Sequence, residues 1–150
     1  MTKRYLAVFA LTLALTLGTI LGTILYVLPI QAQTKAHRVL FALTSSDEAD
    51  WRLTLNNIRN LVSDMAPEQV DIEVVAYGPG IAFLKKAGPD ASDIQKLEST
   101  HIHFIACGNA MRKEHLKAVD MVSGTEIVPA GIADIVRKQE QGWTYIKAGR

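Results

Sequence analysis

The sequence predicts an α/β protein, a three-layer α/β/α domain built on a mostly parallel five-stranded sheet. Short apolar runs alternate along the chain with segments of helical length, and strands separated by helices form parallel pairs through crossovers. The runs end in Gly, Pro, Ser and Asn, the residues that strand-to-helix turns require. Because ligands of open parallel sheets bind beyond the carboxyl ends of the strands, we expect any site to lie at these turns.

The first 34 residues differ from the rest, and we predict a separate segment there and a single domain over residues 35–150. Two basic residues precede an apolar run from Tyr5 to Leu28, and no charge follows until Lys35. This pattern is typical of a secretory signal peptide, with cleavage after Ala32, or of an uncleaved anchor helix, since the run reaches the roughly 20 residues that span a bilayer. Both interpretations export the domain, which would be periplasmic and either soluble or tethered to the inner membrane.

Composition limits the classes of function. The chain is 49% hydrophobic and 21% charged, as expected of a folded domain, and its formal net charge of +1 provides no basic surface for nucleic acid. It has one cysteine, Cys107, which excludes an intramolecular disulfide and a multi-cysteine zinc or iron–sulfur site.

The first strand–helix unit is the clearest. The apolar run His37–Leu43 predicts a buried strand, and the Thr-Ser-Ser-Asp turn after it supplies helix-start residues. A helix follows and ends before Pro67, which blocks its continuation. Its predicted buried stripe recurs at spacings of three and four residues: Trp51, Leu55, Ile58, Val62 and Met65.

The remainder repeats this alternation. The predicted strands are Asp71–Tyr77, His101–Ala106, Glu126–Val128 and Trp143–Lys147. The predicted helices are Ile81–Lys86, Ser92–Thr100, Met111–Val119 and Gly131–Glu140. In the last helix we expect three inward side chains, Ile132, Ile135 and Val136.

Cys107 is the strongest candidate for chemistry. It lies between the strand HIHFIA and a helix, where its thiol would face unpaired N–H groups and the positive end of the helix dipole. That environment favours the nucleophilic thiolate. Gly108 would let the backbone approach a bound group, and Asn109 could cap the helix. The alternative is that Cys107 is a small buried hydrophobic residue.

Two further patterns carry weaker signals. His101 and His103 share one face of a strand, but a metal site normally needs three or four ligands, so we predict no metal and no cofactor. The turn Tyr77–Gly80 could hold an anion through backbone N–H groups, although it matches no nucleotide-binding motif and could be only a tight turn. Asn57 could point toward the site or bridge neighbouring backbone.

Four segments, VVAYGPGI, FIACGNAMR, WRLTLNNIRNL and EQGWTYIK, occur in an order that resembles the DsrE/DsrF-like family, in its small single-cysteine branch. The resemblance implies a three-layer α/β/α domain that assembles as a homotrimer or homohexamer. It also implies sulfur trafficking, in which a cysteine at a strand-to-helix turn carries sulfane sulfur as a persulfide. Cys107 matches that cysteine, and other family positions are matched by Asn57, Tyr77, Gly78, Gly80 and Asn109.

The sequence therefore leads to two hypotheses. In the first, the protein is a sulfur carrier or sulfurtransferase-like protein whose persulfide-forming thiol is Cys107, with a sulfur donor or acceptor protein as partner. Around that thiol we expect a ligand site formed by Asn57, Tyr77, Gly78, Gly80, Gly108 and Asn109. In the second, it is a non-catalytic oligomeric binding module with a ligand cleft at the strand ends. Neither involves nucleic acid, and membrane contact is expected only through an uncleaved N-terminal segment.

Overall fold

The domain is built on a parallel sheet of five strands. A computed structural model describes residues 36–99 and 101–150, so the predicted signal or anchor segment lies outside the described residues. The strands occur in the order β4-β3-β2-β1-β5, and each neighbouring pair is parallel. Their bounds are β1 His37–Leu43, β2 Val70–Ala76, β3 Ile102–Cys107, β4 Glu126–Val128 and β5 Thr144–Ala148. The predicted fold class is confirmed.

Helices connect the strands and cover both faces of the sheet. The α-helices are α1 Glu48–Asp64, α2 Ala91–Leu97, α3 Gly108–Lys113 and α4 Gly131–Glu140. Two 3₁₀ helices span Gly78–Leu84 and Ala118–Asp120. In the described ranges no helix is both long and apolar enough to cross a membrane.

The larger core lies between the sheet and α1. Helix α1 begins where the Asp47 side chain accepts a hydrogen bond from the Ala49 backbone N–H at 2.8 Å. Trp51, Leu55 and Ile58 are buried as predicted, whereas Val62 is 42% exposed. Towards the end of α1 the contact with the core passes instead through Leu61 and Met65, which are partly buried, so Val62 lies outside the buried stripe.

The smaller core lies on the opposite face, under α4. Alternate residues of β1, β2 and β3 meet Ile135 of this helix in a second buried cluster. Three residues spaced at helical period contact the sheet, namely Gly131, Ile135 and Lys138, while Ile132 and Val136 are 55% and 48% exposed. The expectation that Ile132 and Val136 point inward was wrong, because a single helix lying on a sheet buries only a narrow stripe.

The segment around Cys107 also differs from expectation. We expected Gly108 and Asn109 to form a turn and the helix to run from Met111 to Val119. Instead β3 continues through Cys107, and α3 begins at Gly108 without an intervening turn. Helix α3 ends early, and His115 just beyond it has a φ of 55°, in the left-handed region that a continuing helix cannot use.

The register of the sheet positions the candidate residues. Ala76 pairs with Ala106, and Cys107 pairs with Val128. Tyr77 therefore follows β2 directly beside Cys107 on β3, with the end of β4 on the other side. Side chains two residues apart in a strand share a face, so Cys107 continues the face of Ile105, which α4 covers.

Candidate functional site

A cleft of about 280 Å³ opens at the carboxyl edge of the sheet, where β2, β3 and β4 end. Four residues expected from the sequence line it, namely Tyr77, Gly78, Cys107 and Asn109. Its walls are completed by residues of α3 and by the start of α4, including Lys113, Gly131 and Ile132. The described cleft is thus small, mainly apolar and provided with one lysine.

Cys107 lies at the inner end of this cleft. Its residue surface is only 6% exposed, and its Sγ accepts a hydrogen bond from the Gly131 backbone N–H at 3.2 Å. Cys107 also stands at the N-cap position of α3. The thiol is therefore buried against protein on most sides, yet it borders the opening.

The amino end of α4 supplies the polar groups nearest the sulfur. Ala130 occupies the N-cap position and provides no side-chain hydrogen bond to the first turn. The first N–H of the helix is instead donated to Cys107. Backbone N–H groups at a helix start carry partial positive charge, and here the first of them faces the Cys107 sulfur.

Tyr77 forms the wall of the cleft next to Cys107. The side chain is half-buried and contacts both cores. Burial raises the pKa of the Tyr77 hydroxyl above its ordinary value, and the nearby Tyr145 raises this pKa further. The phenol therefore stays protonated near neutral pH and can act as a hydrogen-bond donor.

Asn109 borders the cleft. The sequence suggested that its side chain could cap α3, but the N-cap position is occupied by Cys107. The Asn109 side-chain oxygen accepts a hydrogen bond from the Arg112 guanidinium, and its backbone N–H donates to the Pro129 carbonyl at 3.2 Å. Asn109 therefore ties α3 to the end of β4. Lys113, which lines the cleft, is the basic residue of this helix that faces the site most directly.

The other expected site residues have structural surroundings. Gly108 is buried, and a Cβ there would lie 3.0 Å from the Val128 carbonyl oxygen. Gly80 is buried against the end of β1. Asn57 is exposed on α1 and does not line the cleft. The fold thus brings Tyr77, Gly78, Cys107 and Asn109 together. Asn57 and Gly80 lie elsewhere, and Gly108 packs against the end of β4.

His101 and His103 lie at the opposite end of β3 from Cys107. His101 Nδ1 is 2.8 Å from Asp71 Oδ1, and His103 Nδ1 is 3.1 Å from Glu98 Oε1. In the part of the chain that the structure describes, no group of three or more His, Cys, Asp or Glu side chains is arranged to hold a metal ion. The two histidines instead contact carboxylates at the rim of a separate polar recess.

The predicted site residues did not include Gly131 or Lys113, although both line the cleft. Gly131 begins a helix directly after a strand and its Pro-Ala turn, which is the available signal for a residue at the carboxyl edge. Its contact with Cys107 joins residues 24 positions apart, and no local pattern indicates that contact. Lys113 carries no distinguishing signal among the basic residues around it.

Comparison with known proteins agrees with this fold. The model of the DsrE/DsrF-like family matches residues 37–148. A solved structure of a protein of unknown function, MTH1491 from Methanobacterium thermoautotrophicum, is 35% identical with a TM-score of 0.70, over 74% of this chain and 98% of that one. No functionally curated protein matches the chain. The family match covers more than half of the chain and nearly all of the described residues, so the chain belongs to the DsrE/DsrF-like family.

Proposed function

We propose that the protein is a sulfur carrier, or sulfurtransferase-like protein, in which Cys107 forms a persulfide. The observation that carries the proposal is the hydrogen bond from the Gly131 N–H to Cys107 Sγ at the inner end of an open cleft. This bond places a polar donor on the one thiol of the chain. The DsrE-like family, which resemblance associates with sulfur relay, makes sulfur transfer the chemistry to test first.

The proposed reaction is a pair of exchanges at sulfur. The Cys107 thiolate attacks the terminal sulfur of a sulfane donor, and the bond joining that sulfur to the donor breaks. Both electrons of the broken bond leave with the donor, while Cys107 keeps the transferred sulfur as a persulfide anion. An acceptor thiolate then attacks the terminal sulfur, and Cys107 departs as thiolate.

Charge and space in the cleft support this chemistry. The thiolate and the persulfide are both anions, and the uncapped start of α4 together with Lys113 provides positive potential beside them. The walls of the cleft are mainly apolar and include Ala110 and Ile132. A cleft of about 280 Å³ has room for one extra sulfur atom and for part of a donor.

Mass spectrometry of the intact protein tests the proposal. After incubation with polysulfide and removal of excess reagent, the wild-type protein should gain about 32 Da, the mass of one sulfur atom, and dithiothreitol should remove it. Cys107→Ser should gain nothing under the same conditions. A wild-type protein that stays at its original mass while a control thiol protein is loaded would contradict the proposal.

The alternative is a non-catalytic binding module, and the 6% exposure of Cys107 is the observation that favours it. In that case the cleft holds a ligand and the cysteine contributes packing. Titration with the thiol reagent DTNB separates the two functions. Complete labelling of the native protein within minutes at pH 7 supports the carrier, whereas labelling only in denaturant supports the binding module.

The proposal also includes location and partners. We expect the domain to act outside the cytoplasm, since the apolar segment at residues 5–28 is typical of a signal peptide or anchor. We further expect it to associate with itself as a trimer or hexamer and to exchange sulfur with a donor or acceptor protein. Sedimentation of the purified domain checks the first of these associations, and a monomer at micromolar concentration would contradict it.

A further inference from the structure

We infer that Gly131 is a positioning residue for Cys107, because its lack of a side chain lets the amino end of α4 reach the sulfur. The inference rests on the proposed function, since it assigns to Gly131 the task of maintaining a reactive thiol. Gly131 N is 3.2 Å from Cys107 Sγ, and the residue is buried in the wall of the cleft.

The space around Gly131 is closed on the side of the sheet. A Cβ at this position would lie 3.1 Å from each of three carbon atoms, which are Cys107 Cβ, Tyr77 Cβ and Val75 Cγ1. These atoms belong to the ends of two neighbouring strands, whose backbone is held by the sheet. An added methyl group therefore cannot displace them easily, and α4 would have to move away from the sulfur by a few tenths of an ångström.

Backbone conformation does not explain a glycine at this position. The described glycines with positive φ are Gly78, Gly124, Gly142 and Gly149, and Gly131 is not among them. Its backbone is one that alanine adopts readily, and alanine is the better helix former. The remaining physical reason for a glycine here is the close approach of α4 to the strand ends, and that approach brings the Gly131 N–H to the Cys107 sulfur.

The hydrogen bond from the Gly131 N–H to Cys107 Sγ bears on the chemistry of the thiol. A hydrogen bond donated to an ionised acceptor is stronger than one donated to a neutral acceptor, so the Gly131 N–H stabilises the thiolate more than the thiol. The same N–H faces the sulfur of a persulfide. Moving α4 outward weakens the stabilisation of the thiolate by the Gly131 N–H, while Cys107 itself stays in place.

The variant Gly131→Ala tests the inference through the alkylation rate of Cys107 by iodoacetamide. We expect the rate at pH 7 to fall about tenfold, and the pH dependence of the rate to move upward with its high-pH maximum nearly unchanged. Ala133→Gly is the control, since it alters the same helical turn without adding an atom near the sulfur, and its pH profile should match the wild type. A folded Gly131→Ala protein with a wild-type pH profile would overturn the inference.

A measurement on the wild-type full chain covers the case in which the variant does not fold. Alkylation of Cys107 should shift the amide resonance of Gly131 in a ¹H–¹⁵N spectrum, while the amide of Gly142, at the far end of α4, should stay in place. An unmoved Gly131 amide overturns the inference. Failure of the proposed function gives a different result, because polysulfide would then leave the mass unchanged although alkylation still depends on Gly131.

Discussion

At the scale of single residues, backbone segments at the carboxyl edge of the sheet pack so closely that some positions require glycine. Gly80 illustrates this beside the end of β1. A Cβ at Gly80 would lie 2.9 Å from the carbonyl carbon of Leu43 and closer still to its oxygen. Both neighbours are backbone atoms of a buried strand, so Gly80 is required by packing of the 3₁₀ helix Gly78–Leu84 against β1.

Gly80→Ala should therefore destabilise the protein by about 3 kcal/mol, the upper part of the usual range for overpacking a core. Urea unfolding followed by circular dichroism measures the change. Gln95→Ala, at an exposed position of α2, is the matched control and should change the free energy of unfolding by less than about 0.5 kcal/mol. Equal unfolding midpoints for the two variants would show that the strand end yields to the methyl group.

At the scale of secondary-structure elements, α4 is held to the sheet by an ion pair as well as by Ile135. The Lys138 ammonium donates a hydrogen bond to Glu73 Oε1, and the two side chains are only 23% and 11% exposed. Lys138 Nζ also lies 4.7 Å from the centre of the Trp143 ring. The second carboxylate oxygen of Glu73 is buried and has no hydrogen-bond partner among the described residues, so Lys138 is the cation that compensates this carboxylate.

Lys138→Met should cost about 3 kcal/mol of unfolding free energy, because it leaves the Glu73 carboxylate buried without its cation. The double variant Glu73→Leu/Lys138→Met should recover most of that loss, since it removes both charges. Arg137→Met, on the exposed side of the same helix, is the control. If the single and double variants unfold at the same urea concentration, the ion pair does not have the role assigned to it.

A second element-scale contact joins Arg150, which follows β5, to the start of α1. Asp50 accepts a hydrogen bond from Ser45 Oγ at 2.6 Å and two from Arg150, from the backbone N–H at 3.2 Å and from Nε at 3.1 Å. These bonds, with that of Ser45 the largest contribution, hold the pKa of the Asp50 carboxyl below its usual range. The contact links residues 100 positions apart and closes the β1–β5 side of the sheet.

This contact predicts a pH dependence of stability with a definite sign. A lowered pKa in the folded state means that the stabilisation by Asp50 is complete above the unfolded value, near pH 4, and is lost as the pH falls through the folded value. The stability difference between the wild type and Asp50→Asn should therefore be constant from pH 7 to pH 5 and shrink below about pH 4. Urea unfolding at each pH measures it, with Asp64→Asn as an exposed control. A difference that stays constant down to pH 2 would contradict the assignment.

At the scale of the whole molecule, the sheet order determines which loops share an edge. The chain adds β2, β3 and β4 outward from β1, then returns through α4 to place β5 on the other side of β1. The returning helix covers the face that carries Tyr77 and Cys107, and its first residues meet the ends of β2 and β3. The cleft at Cys107 is thus a product of the β4–α4–β5 crossover.

The N-terminal segment leads to a prediction about the full-length protein. We expect the protein isolated from its native cell either to begin just after Ala32 and be soluble outside the cytoplasmic membrane, or to retain residues 5–28 and fractionate with that membrane. Edman sequencing of the isolated protein, combined with cell fractionation, distinguishes the two. An intact N-terminus in the soluble cytoplasmic fraction would contradict both.

Much of the fold could be predicted because its signals are local. His37–Leu43, Glu126–Val128 and Gly131–Glu140 have the predicted bounds, since apolar runs and turn residues within about ten positions define them. Burial was harder to predict. Three apolar residues that recur at helical spacing are exposed, namely Val62, Ile132 and Val136. Periodicity identifies a helical face, but the width of the buried stripe depends on what packs against it.

The sequence by itself determined the alternation of strands and helices, the family motifs and the position of Cys107 where a strand meets a helix. Each of these is a pattern of neighbouring residues, and backbone propensity and turn chemistry act at that range. Tertiary structure alone decided that Gly131 donates to the sulfur and that Asn57 lies away from the cleft. Strand order and register make those contacts, because they bring together residues that are far apart along the chain and that no local pattern relates.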